Sequence, residues 1–156
     1  MTTPATTPLR ALALVCSLKP SPAESSTHLI ASQVLAALAE HDVSGELVRV
    51  VDHDVKPGVD KDMGEGDAWP AIFDKVMAAQ ALVIGSPIWL GNPSSACIQL
   101  LERLYAHSSD TTAAGQYVYY NKVGGCVVTG NDDGGVAAQV EQRLGHDPLP
   151  SSSAAC

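Results

Sequence analysis

Three short stretches concentrate the residue types that do chemistry. Residues 16–27 read Cys-Ser-Leu-Lys-Pro-Ser-Pro-Ala-Glu-Ser-Ser-Thr, with hydroxyls at Ser17, Ser21, Ser25, Ser26 and Thr27 and a cation at Lys19, directly ahead of a helical pattern. Hydroxyls, an ammonium group and the free N–H groups of a helix start together form a cradle for one phosphate. Helix capping alone would use one of these hydroxyls, not five and a cation. The sequence has no GxGxxG for a dinucleotide and no GxxxxGK[ST] for a nucleoside triphosphate. Pro22 stands where a cysteine phosphatase would carry an arginine, six residues after Cys16, so Cys16 reads as a small buried hydrophobe.

Residues 86–95, Ser-Pro-Ile-Trp-Leu-Gly-Asn-Pro-Ser-Ser, follow an apolar run and mix Gly and Pro with a large aromatic and an amide. A flat heteroaromatic ligand needs that mixture: close main-chain approach, an apolar wall and a few polar groups for its edges. Trp89 divides between that wall and a plug in the core. Residues 129–135, Thr-Gly-Asn-Asp-Asp-Gly-Gly, again end an apolar run. Three glycines in seven residues exceed what a plain turn requires and suit a ligand lying against bare backbone.

Apolar runs of strand length alternate with amphipathic helical stretches, the order of an α/β domain around a parallel sheet. Strands are expected at residues 11–16, 47–51, 81–85 and 123–129, the second near a sheet edge because Arg49 interrupts it. The first helix shows Ile30, Val34, Leu35 and Leu38 at helical spacing. In the second, Asp67 is the expected cap, Pro70 lies in the first turn and Ile72, Phe73, Val76 and Met77 form the apolar face. The third follows a cap at residues 93–95, with Ile98, Leu101 and Tyr105 on one face, and the fourth is a short helix spaced by Val136, Val140 and Leu144. Residues 108–120 suggest no regular structure.

A chain of 156 residues with 46% hydrophobic content suits one domain with a full core. Nine Lys+Arg against 17 Asp+Glu give a net charge of −8, and no basic run offers a surface for nucleic acid or anionic membrane. Half of that charge sits in residues 52–67, whose six acids and two lysines read as a solvated connection that disfavours an anionic partner. No apolar stretch reaches the roughly 18 residues of a membrane span, and the Thr/Pro-rich start is not a leader pattern, so a cytoplasmic protein is expected. Four cysteines, at 16, 97, 126 and 156, lack metal-ligand spacing. They read as buried hydrophobes, except for Cys156 in the tail. The five histidines are scattered and read as surface residues.

The Ser-Leu-Lys and Ser-Ser-Thr pattern of the first stretch, the Ser-Pro-Ile-Trp-Leu-Gly-Asn-Pro stretch and Thr-Gly-Asn-Asp-Asp-Gly-Gly together resemble the flavodoxin-like NAD(P)H-dependent FMN reductase family, over residues 12–136. The resemblance implies a flavodoxin-like, doubly wound parallel sheet of strand order 2-1-3-4. It assigns the FMN phosphate to Ser17, Lys19, Ser25, Ser26 and Thr27. The isoalloxazine falls to Pro87, Ile88, Trp89, Leu90, Gly91 and Asn92, and its pyrimidine side to Thr129, Gly130, Asn131, Asp133, Gly134 and Gly135. It further implies NADPH or NADH as hydride donor and a quinone, nitro compound, metal complex or flavin as small-molecule acceptor, with no catalytic acid, base or metal. The alternatives are a flavodoxin-type electron carrier and a truncated, non-enzymatic flavodoxin-like chain. Residues 9–145 make the expected domain and residues 146–156 an expected disordered tail, with the fifth strand of the family expected to be missing. The fourth strand is then expected to be an exposed edge, which points either to homo-oligomerisation through it or to a marginal, aggregation-prone monomer.

Overall fold

Continuous apolar runs make the two central strands, as expected where a sheet is covered on both faces. The computed structural model describes residues 8–130 of the 156. Strands β1 (Arg10–Val15), β2 (Ser44–Arg49), β3 (Ala81–Trp89) and β5 (Val123–Thr129) lie parallel in the order β2-β1-β3-β5. A two-residue strand β4 (Asn92–Pro93) folds back antiparallel on the end of β3. The order matches the 2-1-3-4 expectation for the four sequence-read strands, with β2 at the edge. Among the described residues no helix is long and apolar enough to cross a membrane.

Alternation along β1 divides the core. Leu12, Leu14 and Cys16 point with Val48, Leu82 and Ile84 to one face, where helices α2 (Trp69–Ala78) and α3 (Ser95–Tyr105) supply Trp69, Ile72, Val76, Cys97, Leu100 and Leu104. Ala13 and Val15 point with Val83 and Val127 to the other, against Ala31 of helix α1 (Ser26–Ala39). Each large aliphatic side chain so buried contributes about 1.5–3 kcal/mol.

The structure corrects several sequence expectations. In α1 the buried positions are Thr27 and Ala31, and Ile30 is exposed. In α3 they are Cys97, Leu100, Arg103 and Leu104, whereas Ile98 and Tyr105 face outward. Arg103 is buried because its Nη2 meets Asp67 Oδ2 at 2.6 Å, with both side chains inaccessible, and its guanidinium lies 5.8 Å from the Trp69 ring centroid. Asp67 is not the cap of α2, which is Ala68. Instead its Oδ1 accepts from the amides of Trp69 and Lys56 and its Oδ2 from that of Met63. Burial works against its charge, but these three N–H groups and Arg103 outweigh it and hold the carboxyl below its ordinary range.

The acidic connection is therefore anchored rather than simply solvated. His107 likewise is buried rather than on the surface: it stacks on Phe73 at 3.4 Å between ring centroids and accepts from Trp69 Nε1 at 3.2 Å. Its Nδ1 is 3.0 Å from Asp110 Oδ2. Since an indole N–H only donates, Nε2 is the bare nitrogen and Nδ1 carries the proton to Asp110. Cys126 is half-buried rather than fully buried. The expected fourth helix, the tail at residues 146–156 and Cys156 lie outside the described residues.

Candidate functional site

From β1 the chain passes outward to β2 and then returns across β1 to β3, so strand order reverses between β1 and β3. Ligands of open α/β sheets sit at the carboxyl ends of the strands at such a point. The three sequence-marked stretches leave β1, β3 and β5 at that end, and hydrogen bonds bind them to one another.

Ser94, the N-cap of α3, donates to the Cys16 carbonyl at 2.6 Å and accepts from the Cys97 amide at 3.2 Å. Its own amide donates to Ser86 Oγ at 3.0 Å. One serine thus joins the ends of β1 and β3 to a helix start. Thr27, in the first turn of α1, shares a 2.6 Å hydroxyl bond with Thr129 at the end of β5, and both are buried. A Cβ at Gly85 would come within 2.9 Å of Thr27 Cγ2, so β3 needs glycine for α1 to seat. A Cβ at Gly130 would stand 3.1 Å from Ile88 Cβ, which records how closely the third stretch approaches the second.

In the first stretch the five hydroxyls have different employments. Ser25 is the N-cap of α1 and accepts from the His28 amide at 3.2 Å. Ser21 donates through its amide to Asp52 Oδ1 at 2.7 Å and through its hydroxyl to Oδ2 at 2.6 Å. Those two bonds hold the Asp52 carboxyl below its ordinary range, the hydroxyl first. Ser17 is buried with only a long 3.4 Å contact to the Lys19 carbonyl, and Ser26 is exposed at the first position of α1. The Ser26 and Thr27 amides, at the open end of the helix, take no partner among the described residues. The Lys19 side chain is exposed, but its carbonyl and that of Ala23 accept from Arg49 Nη1 at 3.2 and 2.8 Å.

The second stretch is a hairpin rather than a loop. β3 runs on through Pro87 and Ile88 to Trp89, and Leu90 and Gly91 turn it with φ of 51° and 81°. Trp89 pairs with Asn92, whose Nδ2 donates to the Leu90 carbonyl at 3.0 Å. Two positive φ values are the geometry of the tight turn that matches strand twist. Trp89 is 58% exposed and Leu90 94% exposed, so Trp89 is no core plug; the core tryptophan is Trp69, which sequence reasoning passed over. Of the third stretch, Thr129 and Gly130 belong to this cluster, and Asn131, Asp133, Gly134 and Gly135 lie outside the described residues.

Sequence reading missed the parts that Ser86 and Arg49 play in holding the site together, whereas Ser94 falls inside the cap expected at residues 93–95. Arg49 signalled itself as a charge in an apolar run, which read as edge placement; β2 is an edge strand, and the Arg49 side chain is in addition buried beneath the first stretch.

Comparison with known proteins agrees with this geometry. The model of the family described as NADPH-dependent FMN reductase matches residues 9–145. The 8-demethyl-8-aminoriboflavin-5'-phosphate synthase of Streptomyces davaonensis is 33% identical over 160 residues, spanning 94% of this chain and 62% of that protein. The divalent metal cation transporter MntH of Mycobacterium bovis is 45% identical over 130 residues, spanning 81% of this chain and 19% of the transporter. The crystal structure of RosB with bound 8-demethyl-8-formylriboflavin-5'-phosphate superposes with a TM-score of 0.77 at 31% identity, over 88% of this chain and 58% of RosB. The chain spans less than two thirds of each of these relatives. With strand order, loop placement and a family match over most of its length in agreement, the chain belongs to the NADPH-dependent FMN reductase family.

Proposed function

We propose that the chain is a flavoprotein oxidoreductase that binds FMN at the carboxyl ends of β1, β3 and β5 and takes hydride from NADPH or NADH. The observation that carries this reading is the cinching of the three stretches by Ser94 and by the Thr27–Thr129 pair, which brings them together at one edge of the sheet. The residues fit the group. The unpartnered Ser26 and Thr27 amides, the hydroxyls of Ser17, Ser25 and Ser26 and the Lys19 ammonium suit a terminal phosphate, and Thr27 fixes the helix that carries them. Pro87, Ile88, Trp89, Leu90, Gly91 and Asn92 give an aromatic and apolar wall with a bare turn, and Thr129 and Gly130 lie beside it; Asn131, Asp133, Gly134 and Gly135, outside the described residues, are proposed as further contacts to the pyrimidine side. A relative named for a riboflavin 5'-phosphate derivative and a solved structure holding one support a ligand of that class.

A bound FMN supplies hydride acceptance and electron release to a quinone, flavin or similar small-molecule acceptor. The protein's own task is to hold and orient the ring. No acid or base is needed from the side chains, so no catalytic residue is assigned. The second reading is that the riboflavin phosphate is itself the reactant, favoured by the 33% identity to a synthase named for such a product.

Titration of flavin-free protein with FMN, FAD and riboflavin tests the binding reading. FMN should bind at least about tenfold more tightly than riboflavin, the value of one charge-assisted hydrogen bond. Equal or tighter binding of FAD, or no discrimination, contradicts it. Recovery of chemically altered flavin after turnover would select the second reading.

A further inference from the structure

Arg49 is 7% exposed, yet it ends the edge strand β2, where its side chain reaches under the first stretch. Its only hydrogen-bond partners among the described residues are the neutral carbonyls of Lys19 and Ala23, and its Nε is buried without any partner. No carboxylate among the described residues comes within 4.0 Å of a guanidinium nitrogen. Asp52, three residues on, lies near enough for the Arg49 charge to help hold its carboxyl below the ordinary range, but both of its oxygens bond Ser21 in the same stretch and neither pairs directly with the guanidinium. A buried cation without a directly paired anion is costly. The same molecule shows how such a charge is otherwise handled: the other buried arginine, Arg103, has Asp67 against it.

Resting on the FMN reading above, the geometry points to Arg49, rather than the exposed Lys19, as the cation that sets the site's preference for a phosphorylated flavin. It does so in two ways. Its buried charge lies against the stretch that flanks the open end of α1, where an anion would complete its compensation. Its Nη1 also holds both the Lys19 and Ala23 carbonyls toward β2 while Asp52 holds Ser21 between them, so the stretch is fixed before ligand arrives. A preformed site avoids the entropy of ordering a loop on binding. Arg49 is a positioning and charge-supplying residue, not a catalytic one.

The experiment compares wild type, Arg49→Met, Arg49→Lys and Lys19→Met as flavin-free proteins titrated with FMN and with riboflavin. Hydrogen exchange of residues 18–24 is followed in parallel without ligand. Arg49→Met should lose about tenfold or more in FMN affinity with riboflavin affinity nearly unchanged, and residues 18–24 should lose protection while the β1 and β3 amides keep theirs. Arg49→Lys should recover part of the FMN preference but not the protection, because the shorter lysine keeps the charge without bringing its nitrogen to where Nη1 meets both carbonyls. Lys19→Met should lose less FMN affinity than Arg49→Met, because an exposed ammonium is screened by solvent.

Equal losses for both flavins in Arg49→Met, or an FMN preference kept by Arg49→Met and lost in Lys19→Met, overturns the assignment. Wild-type protein that does not discriminate FMN from riboflavin overturns the flavin-phosphate reading itself, and the charge role with it, while loss of protection in Arg49→Met would still mark the residue as the anchor of the stretch. Should Arg49→Met unfold, Ser21→Ala tests the fixing role alone: it should weaken FMN more than riboflavin, and equal weakening counts against the proposal.

Discussion

One hydroxyl, that of Ser94, ties the Cys16 carbonyl, the Cys97 amide and the Ser86 hydroxyl. Replacing it with alanine removes a helix cap and leaves a buried carbonyl unpaired, so Ser94→Ala should lower unfolding free energy by about 2–3 kcal/mol. Urea denaturation measures this, and a change under about 0.5 kcal/mol, the range of an ordinary surface substitution, would show that the ends of β1 and β3 do not depend on it. The sequence displayed the excess of hydroxyls in residues 16–27, and that excess is real. It could not display their partners, because Ser21 finds Asp52 across 31 positions and Thr27 finds Thr129 across 102. Pairings of that separation exist only once the sheet order is set.

The central strands were legible because burial on both faces leaves an uninterrupted apolar run, and β1 matches its expected bounds to within a residue, as does β5 although its first half is exposed. Helix faces were less so. Apolar periodicity passes over any face that includes a charge, and α3 buries Arg103 between Leu100 and Leu104. The third strand was expected to end at residue 85 because Pro87 and Gly91 look like breakers, whereas Pro87 sits in β3 and Gly91 in the turn that reverses it.

The Asp67–Arg103 pair ties the acidic connection to α3, and its two halves are not independent. Arg103→Met alone leaves the Asp67 carboxylate buried without its cation and should cost about 3–5 kcal/mol, while Arg103→Met combined with Asp67→Leu should recover much of that loss. A thermodynamic cycle from urea denaturation of the two single variants and the double variant measures the coupling. Additive losses would mean the pair acts as two separate contacts. Recovery will stop short of wild type, because Asp67 also holds the amides of Lys56, Met63 and Trp69.

At the scale of the whole molecule, the sheet order brings β1, β3 and β5 side by side, and the described residues assigned to the flavin lie in the stretches that follow the carboxyl ends of those strands. Family membership and architecture follow from the match over residues 9–145 and from the superposition on RosB. The reductase activity is the step that remains to be measured. Most direct is the anaerobic addition of NADPH, and separately NADH, to FMN-loaded protein while the oxidised-flavin absorption band is followed. The account predicts that at least one nicotinamide bleaches the band stoichiometrically and that a quinone restores it. A band unchanged under excess of both, in protein that holds FMN, would contradict the account and leave an electron carrier or a flavin-modifying enzyme in its place.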